Sequence, residues 1–141
     1  MRMLTILTVL FAVALAGVAL AGCGGDDDEA SGDEVTVSLS ETAGSGQTGT
    51  ATLTAEGDQT RVVIELDGDP VSASQPAHIH AGTCDALTPE PAFGLPNVAD
   101  GSSEATVDAT LDSLTTADYA INLHMSDEDL ATYTSCGDIE S

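Results

Sequence analysis

Apolar and polar positions alternate with a period of two through most of the chain after residue 34. Val35, Val37 and Leu39 are separated by Thr36 and Ser38. Threonines separate Gly49, Ala51, Leu53 and Ala55, and Val62, Ile64 and Leu66 share one parity of a run beginning at Thr60. Successive side chains of a strand point to opposite faces, so the pattern predicts strands with one face on a core and the other in water. Glycine-rich or acidic breaks fall between these runs: Ala43 to Gln47, Glu56-Gly57-Asp58 and Asp67-Gly68-Asp69-Pro70. Such breaks are turn chemistry. Farther along, Gln75 to Ala81, Glu104 to Leu111 and Asp118 to His124 read as strands, and Cys136 to Ile139 as a last short one. Between Ala81 and Glu104 the pattern is irregular. No segment has a helical period, although Ser126 to Thr132 could make one turn. Short antiparallel strands at this spacing predict an all-β domain, an immunoglobulin-like Greek-key β-sandwich or barrel of about seven or eight strands.

The first 34 residues break this pattern. Leu4 to Leu20 is an unbroken run of apolar and small residues behind Met1-Arg2-Met3, long enough for a signal peptide or a short membrane span. Leu20-Ala21-Gly22-Cys23 resembles the lipobox of bacterial lipoproteins. That resemblance implies cleavage after Gly22, acylation of Cys23 and a chain tethered to the cell membrane on its extracytoplasmic face, with membrane lipid as a partner; an uncleaved anchor helix is the alternative. Several acyl chains anchor far more firmly than one. Residues 24–34, GGDDDEASGDE, have too little apolar surface to order themselves and predict a disordered acidic linker. Residues 35–141 then make one domain, large enough for a single core and not for two.

Charge narrows the range of partners. All 24 acidic residues follow Cys23, with Arg61 as the one basic residue beyond it, so the chain after the signal carries about −23. Such a surface argues against nucleic acid and anionic headgroups as partners and fits a salty or acidic setting. The core must be built from small aliphatics, since there is no tryptophan and few other aromatics. Cys84 and Cys136 remain once Cys23 is assigned to lipid. In an oxidising compartment they read as a disulfide, with soft metal ligation as the alternative.

The chain has three histidines, His78, His80 and His124. In each strand the neighbouring aliphatics (Ile79; Ile121 and Leu123) take the opposite parity, so all three imidazoles face away from the core, where a metal could reach them. Imidazole suits copper and zinc, with copper the tighter binder at equal ligation. Three such ligands leave an open position on either metal. Met125 has the parity of the core and reads as packing.

The order of these features resembles the copper/zinc superoxide dismutases. Ala77-His78-Ile79-His80 is similar to that family's strand with two copper ligands. Cys84 follows it like the family's loop cysteine, and Leu95-x-Asn97-Val98 resembles the segment after the zinc loop. His124 stands where the family has another copper-ligating histidine, and Cys136-Gly137-Asp138-Ile139 resembles its C-x-x-I ending with the second disulfide cysteine. The resemblance implies one copper held by His78, His80 and His124, a Cys84–Cys136 disulfide, and superoxide as substrate. Two departures qualify the activity. Residues 86–94 have no histidine, and Gly94 stands where the family has an aspartate, so zinc of the family type is not expected. Tyr133 stands where the family has a guidance arginine. A copper-only dismutase, a non-catalytic copper-binding lipoprotein and a metal-free module of the chordin type all remain open. The last of these also has strands like Ala77–His80 and Asn122-Leu123-His124.

Overall fold

The computed structural model describes residues 33–141. The signal segment, Cys23 and most of the acidic linker lie outside the described residues. Eight antiparallel strands close into a barrel in the order β1-β2-β3-β6-β5-β4-β7-β8. Their ranges are β1 Glu34–Glu41, β2 Gly49–Glu56, β3 Gln59–Leu66, β4 Ser74–Ala81, β5 Pro91–Ala99, β6 Ser102–Val107, β7 Tyr119–Ser126 and β8 Asp129–Ile139, with a short helix, α1 Leu111–Thr116, before β7. Strands β4, β5 and β6 run as successive hairpins and return beside β3, and β7 then returns beside β4. These are the connections of a Greek key. The ring is thinnest where β5 meets β6, at Ala99 and Ser102, and where β1 meets β8, at Ser40 with Cys136 and Glu41 with Ser135.

The alternation accounts for the core. Val37, Leu39, Ala51, Leu53, Val62, Ile64, Ala77, Ile79, Ile121 and Leu123 fill the barrel from five of the strands, each at 3% exposure or less. The expected turns also form. Gly57 takes positive φ in the β2–β3 hairpin, and Ala43, Gly44 and Gly46 take it in the bend after β1. Glu34 already pairs with Thr54, so the ordered strand starts one residue before the boundary read from the sequence.

Four expectations are corrected. The irregular stretch contains a strand of nine residues, β5, which pairs with β4 despite Pro91, Pro96 and Gly94. Its register slips near Gln75/Ala77 and Ile79/His80, which is why its pattern does not alternate. The strand expected over Glu104 to Leu111 ends at Val107. Thr110 there caps α1, its side chain accepting the Ser113 N–H, and Leu111 and Leu114 enter the core at helical spacing. No helical turn forms over Ser126 to Thr132: β7 and β8 join through Asp127 and Glu128, and β8 is eleven residues long. Met125 is half-buried and lies outside the core cluster.

The barrel interior is not wholly apolar. Gln47 Oε1 accepts from the Val71 N–H and from Gln75 Nε2, and Gln75 Oε1 accepts from the Thr134 hydroxyl. These three side chains are at least 99% buried, and together they satisfy one another next to the loop that leads into β4.

Candidate metal centre

Strands β4 and β7 lie side by side, with Ala77 opposite Leu123, His78 opposite Asn122, Ile79 opposite Ile121 and His80 opposite Ala120. With Ile79, Ile121 and Leu123 directed into the core, His78, His80 and His124 share the outward face, as their parity requires. The pairing places His124 diagonally from His78, within reach of its ring. One ligand-capable nitrogen from each of the three histidines lies within 4.8 Å of the other two. Ring centroids are 5.0 Å apart for His78 and His124, 5.6 Å for His78 and His80, and 6.4 Å for His80 and His124.

Facing away from the core does not leave these rings in water. His80 is 3% exposed and His124 5%; His78 is half-buried. His124 lies against Leu130 and Tyr133 of β8, and His80 lies against the segment from Gly82 to Glu90, at Thr88. That segment leaves β4 through Gly82, whose φ of +99° is open to glycine and strained for other residues. It is fastened in three ways: the Gly82 N–H donates to Asp118 O, the Cys84 N–H donates to Asp138 Oδ1 at 2.6 Å, and Cys84 is bonded to Cys136 of β8 with Cα atoms 5.9 Å apart. The disulfide reading of the two cysteines therefore holds, and they are not free to ligate metal as thiolates.

The hydrogen bonds fix which nitrogens are available. His80 Nδ1 lies 2.8 Å from Thr88 O and His124 Nδ1 lies 2.7 Å from Leu130 O. A carbonyl only accepts, so both Nδ1 atoms carry hydrogen and both Nε2 atoms present a lone pair. Nε2 of His80 is buried without a partner among the described residues. Nε2 of His124 lies 3.0 Å from His78 Nδ1, which donates to it. Ligating histidines characteristically donate their second N–H to a carbonyl, which fixes the tautomer and aims the other nitrogen.

Burial lowers the pKa of His78 below the usual imidazole value, and His124 and His80 nearby lower it further. Burial lowers His124 too, against the opposing pull of the Leu130 carbonyl. Both shifts favour the neutral ring, the form that binds metal. With metal–nitrogen bonds of about 2.0–2.1 Å, ligating nitrogens sit roughly 3.3–3.6 Å apart. The His78–His124 spacing of 3.0 Å is already close to that, and the other spacings lie within 4.8 Å. The three histidines could therefore hold one metal ion, which would replace the proton shared by His78 and His124.

The surroundings say how the centre is approached. Gly94 of β5 lies opposite His78, is exposed, and would place an added Cβ within 4 Å of nothing, so His78 has open space on that side. Tyr133 packs edge-on against His124 with ring centroids 5.0 Å apart. Arg61 lies on β3, three strands from β4 around one side of the barrel and four from β7 around the other, and is paired with Glu104 at 2.9 Å. No basic side chain among the described residues stands at the histidines.

All three histidines expected from the sequence meet here. The carbonyls of Thr88 and Leu130 have no sequence signal, because any residue supplies a carbonyl. Asn122 did have one: it stands two residues before His124 on the same parity. Comparison with known proteins gives no match, whether to a family model, a curated protein or a solved structure.

Proposed function

We propose that this chain is a cell-envelope lipoprotein whose barrel binds one copper ion through His78 Nδ1, His80 Nε2 and His124 Nε2. The observation that carries this is the arrangement of the rings: two are fastened by backbone carbonyls, which leaves Nε2 of each to ligate, and one nitrogen of each of the three rings lies within 4.8 Å of the other two. Three neutral nitrogens without a thiolate or carboxylate suit copper better than the hard divalent ions, and copper outranks zinc at equal ligation. The disulfide suits an oxidising compartment, in keeping with acylation at Cys23 and an extracytoplasmic location. The Greek-key barrel and the H-x-H strand support kinship with the copper/zinc superoxide dismutases, without their zinc subsite.

Copper in such a centre would supply one-electron chemistry at an open position beside His78. A copper-only superoxide dismutase is the catalytic form of this proposal, favoured by that opening at Gly94. The non-catalytic form, in which the protein holds or passes on copper, is favoured by the electrostatics. Superoxide is an anion, the chain after Cys23 carries about −23, and Tyr133 stands at the rim of the site where a steering cation would be expected. We place the non-catalytic form first.

Copper titration of the purified full chain with metal analysis, followed by a superoxide dismutation assay, separates the alternatives. The expected result is one copper per chain with slow dismutation. Rapid dismutation at one copper per chain would establish the enzyme, and absence of stoichiometric metal would leave a chordin-type structural module.

A further inference from the structure

The outward face of β7 carries a polar side chain for which neither the fold nor the three-histidine set has a use. Asn122 lies opposite His78 on one side and Cys136 on the other, and two residues before His124. Ile121 and Leu123 beside it belong to the core, so Asn122 shares the face of the histidines. It is completely buried, and neither Nδ2 nor Oδ1 has a hydrogen-bond partner among the described residues. Five buried side-chain atoms are in that condition there, and three of them, these two and His80 Nε2, belong to this one patch.

Buried amides in folded proteins are almost always paired. This barrel follows that rule elsewhere: Gln47, Gln75 and Thr134 satisfy each other inside it. An amide left unpaired at both ends beside a triangle of ligand nitrogens is instead suited to something that arrives with the metal. Three imidazoles leave at least one coordination position open. Oδ1 can accept from a protonated ligand and Nδ2 can donate to an unprotonated one. The amide is also neutral, so it can hold a small anion without a basic residue nearby.

We infer that Asn122, resting on the three-histidine reading, forms a ligand subsite of the metal centre, its amide gripping a small hydrogen-bonding ligand of one to three heavy atoms on a metal position that the histidines leave open. Water or hydroxide, peroxide and azide are members of this class. His78, His80 and His124 set the affinity for metal, and Asn122 sets the affinity of the loaded centre for its exogenous ligand.

The test uses the full chain loaded with Cu(II) and titrated with azide, followed through the azide-to-copper charge-transfer absorption. Wild type is compared with Asn122→Leu, which keeps the volume and removes the amide, and with Asn122→Ala, which carries the comparison if leucine prevents folding. Copper stoichiometry is expected to stay at one per chain in the variants, with the azide dissociation constant raised at least about tenfold, the effect of losing one hydrogen bond to a charged ligand. Azide affinity within twofold of wild type in copper-loaded variants overturns the subsite and leaves the copper centre standing, as does a loaded wild type that binds no azide. A wild-type chain without stoichiometric copper overturns the three-histidine reading and the subsite with it.

Discussion

Two walls of this barrel are written in the same alternating code and end in different surroundings. On the β2–β3 wall the residues facing away from the core are Thr50, Thr52, Thr54, Arg61, Val63 and Glu65. They border solvent, and the polar contacts in the region are surface ones, such as Arg61 with Glu104 and Thr54 with Glu34. On the β4–β7 wall the corresponding positions are His78, His80, Ala120, Asn122 and His124, and all but His78 are buried. The difference is what lies over them: the segment from Gly82 to Glu90, tied down by the Cys84–Cys136 bond, at His80, and Leu130 and Tyr133 of β8 at His124. Alternation decides which face a residue takes; what lies over that face is decided by contacts remote in sequence. A covered outward face offers imidazole nitrogens held out of water, which an exposed outward face does not.

Removing the Cys84–Cys136 bond should narrow the contrast. Cys136→Ser opens a loop of 52 residues and should destabilise the domain by roughly 4 kcal/mol in the chain-entropy model, read as a large fall in melting temperature. It should also expose His80 to solvent, whereas an unchanged melt would mean that the segment is held down without the bond.

A change confined to the histidine wall comes next. His80→Ala should weaken copper binding by about a hundredfold or more, roughly 2.8 kcal/mol, while the circular dichroism of the β-barrel is preserved. Equal copper affinity in that variant would remove His80 from the site.

A smaller effect separates the walls by pH. Below about pH 6.5 the histidines of the unfolded chain take up protons, whereas His78 and His124 in the fold resist doing so. The unfolded state then binds more protons, so the stability of the metal-free chain should fall as pH drops through that value. Melts at pH 7 and pH 5.5 would measure the fall, and His78→Ala should make it shallower. The smallest effect belongs to the open wall. Arg61→Ala removes an exposed, solvent-screened ion pair and should leave the melting temperature nearly where it was, with copper binding unchanged.

Much of this architecture could be read from the residues. The regular alternation of Val35–Leu39, Gly49–Ala55 and Val62–Leu66 identified β1 to β3, and the parity of Ile79 against His78 and His80 put the imidazoles on the outward side. What escaped has physical causes. β5 carries two prolines, a glycine and bulges, so its register cannot appear as a period of two. α1 is six residues long, too short to show a helical period, and its two buried leucines look like the end of a strand. The outward histidines were expected to be accessible, and two are buried: His80 meets a segment that returns through contacts with Asp118, Asp138 and Cys136, and His124 meets Leu130 and Tyr133 of β8, contacts that local pattern does not encode. Asn122 was visible beside His124, and only its burial without partners gives it a role.

The central claim is that His78, His80 and His124 together hold one copper. Electron paramagnetic resonance of the full chain loaded with a single equivalent of Cu(II) tests it most directly, because nitrogen ligands split the signal according to their number. Coupling to three imidazole nitrogens, reduced to two in His80→Ala, is the expected result. A spectrum of aqueous or carboxylate-bound copper, unchanged by that substitution, would contradict it and assign the metal to the acidic surface instead.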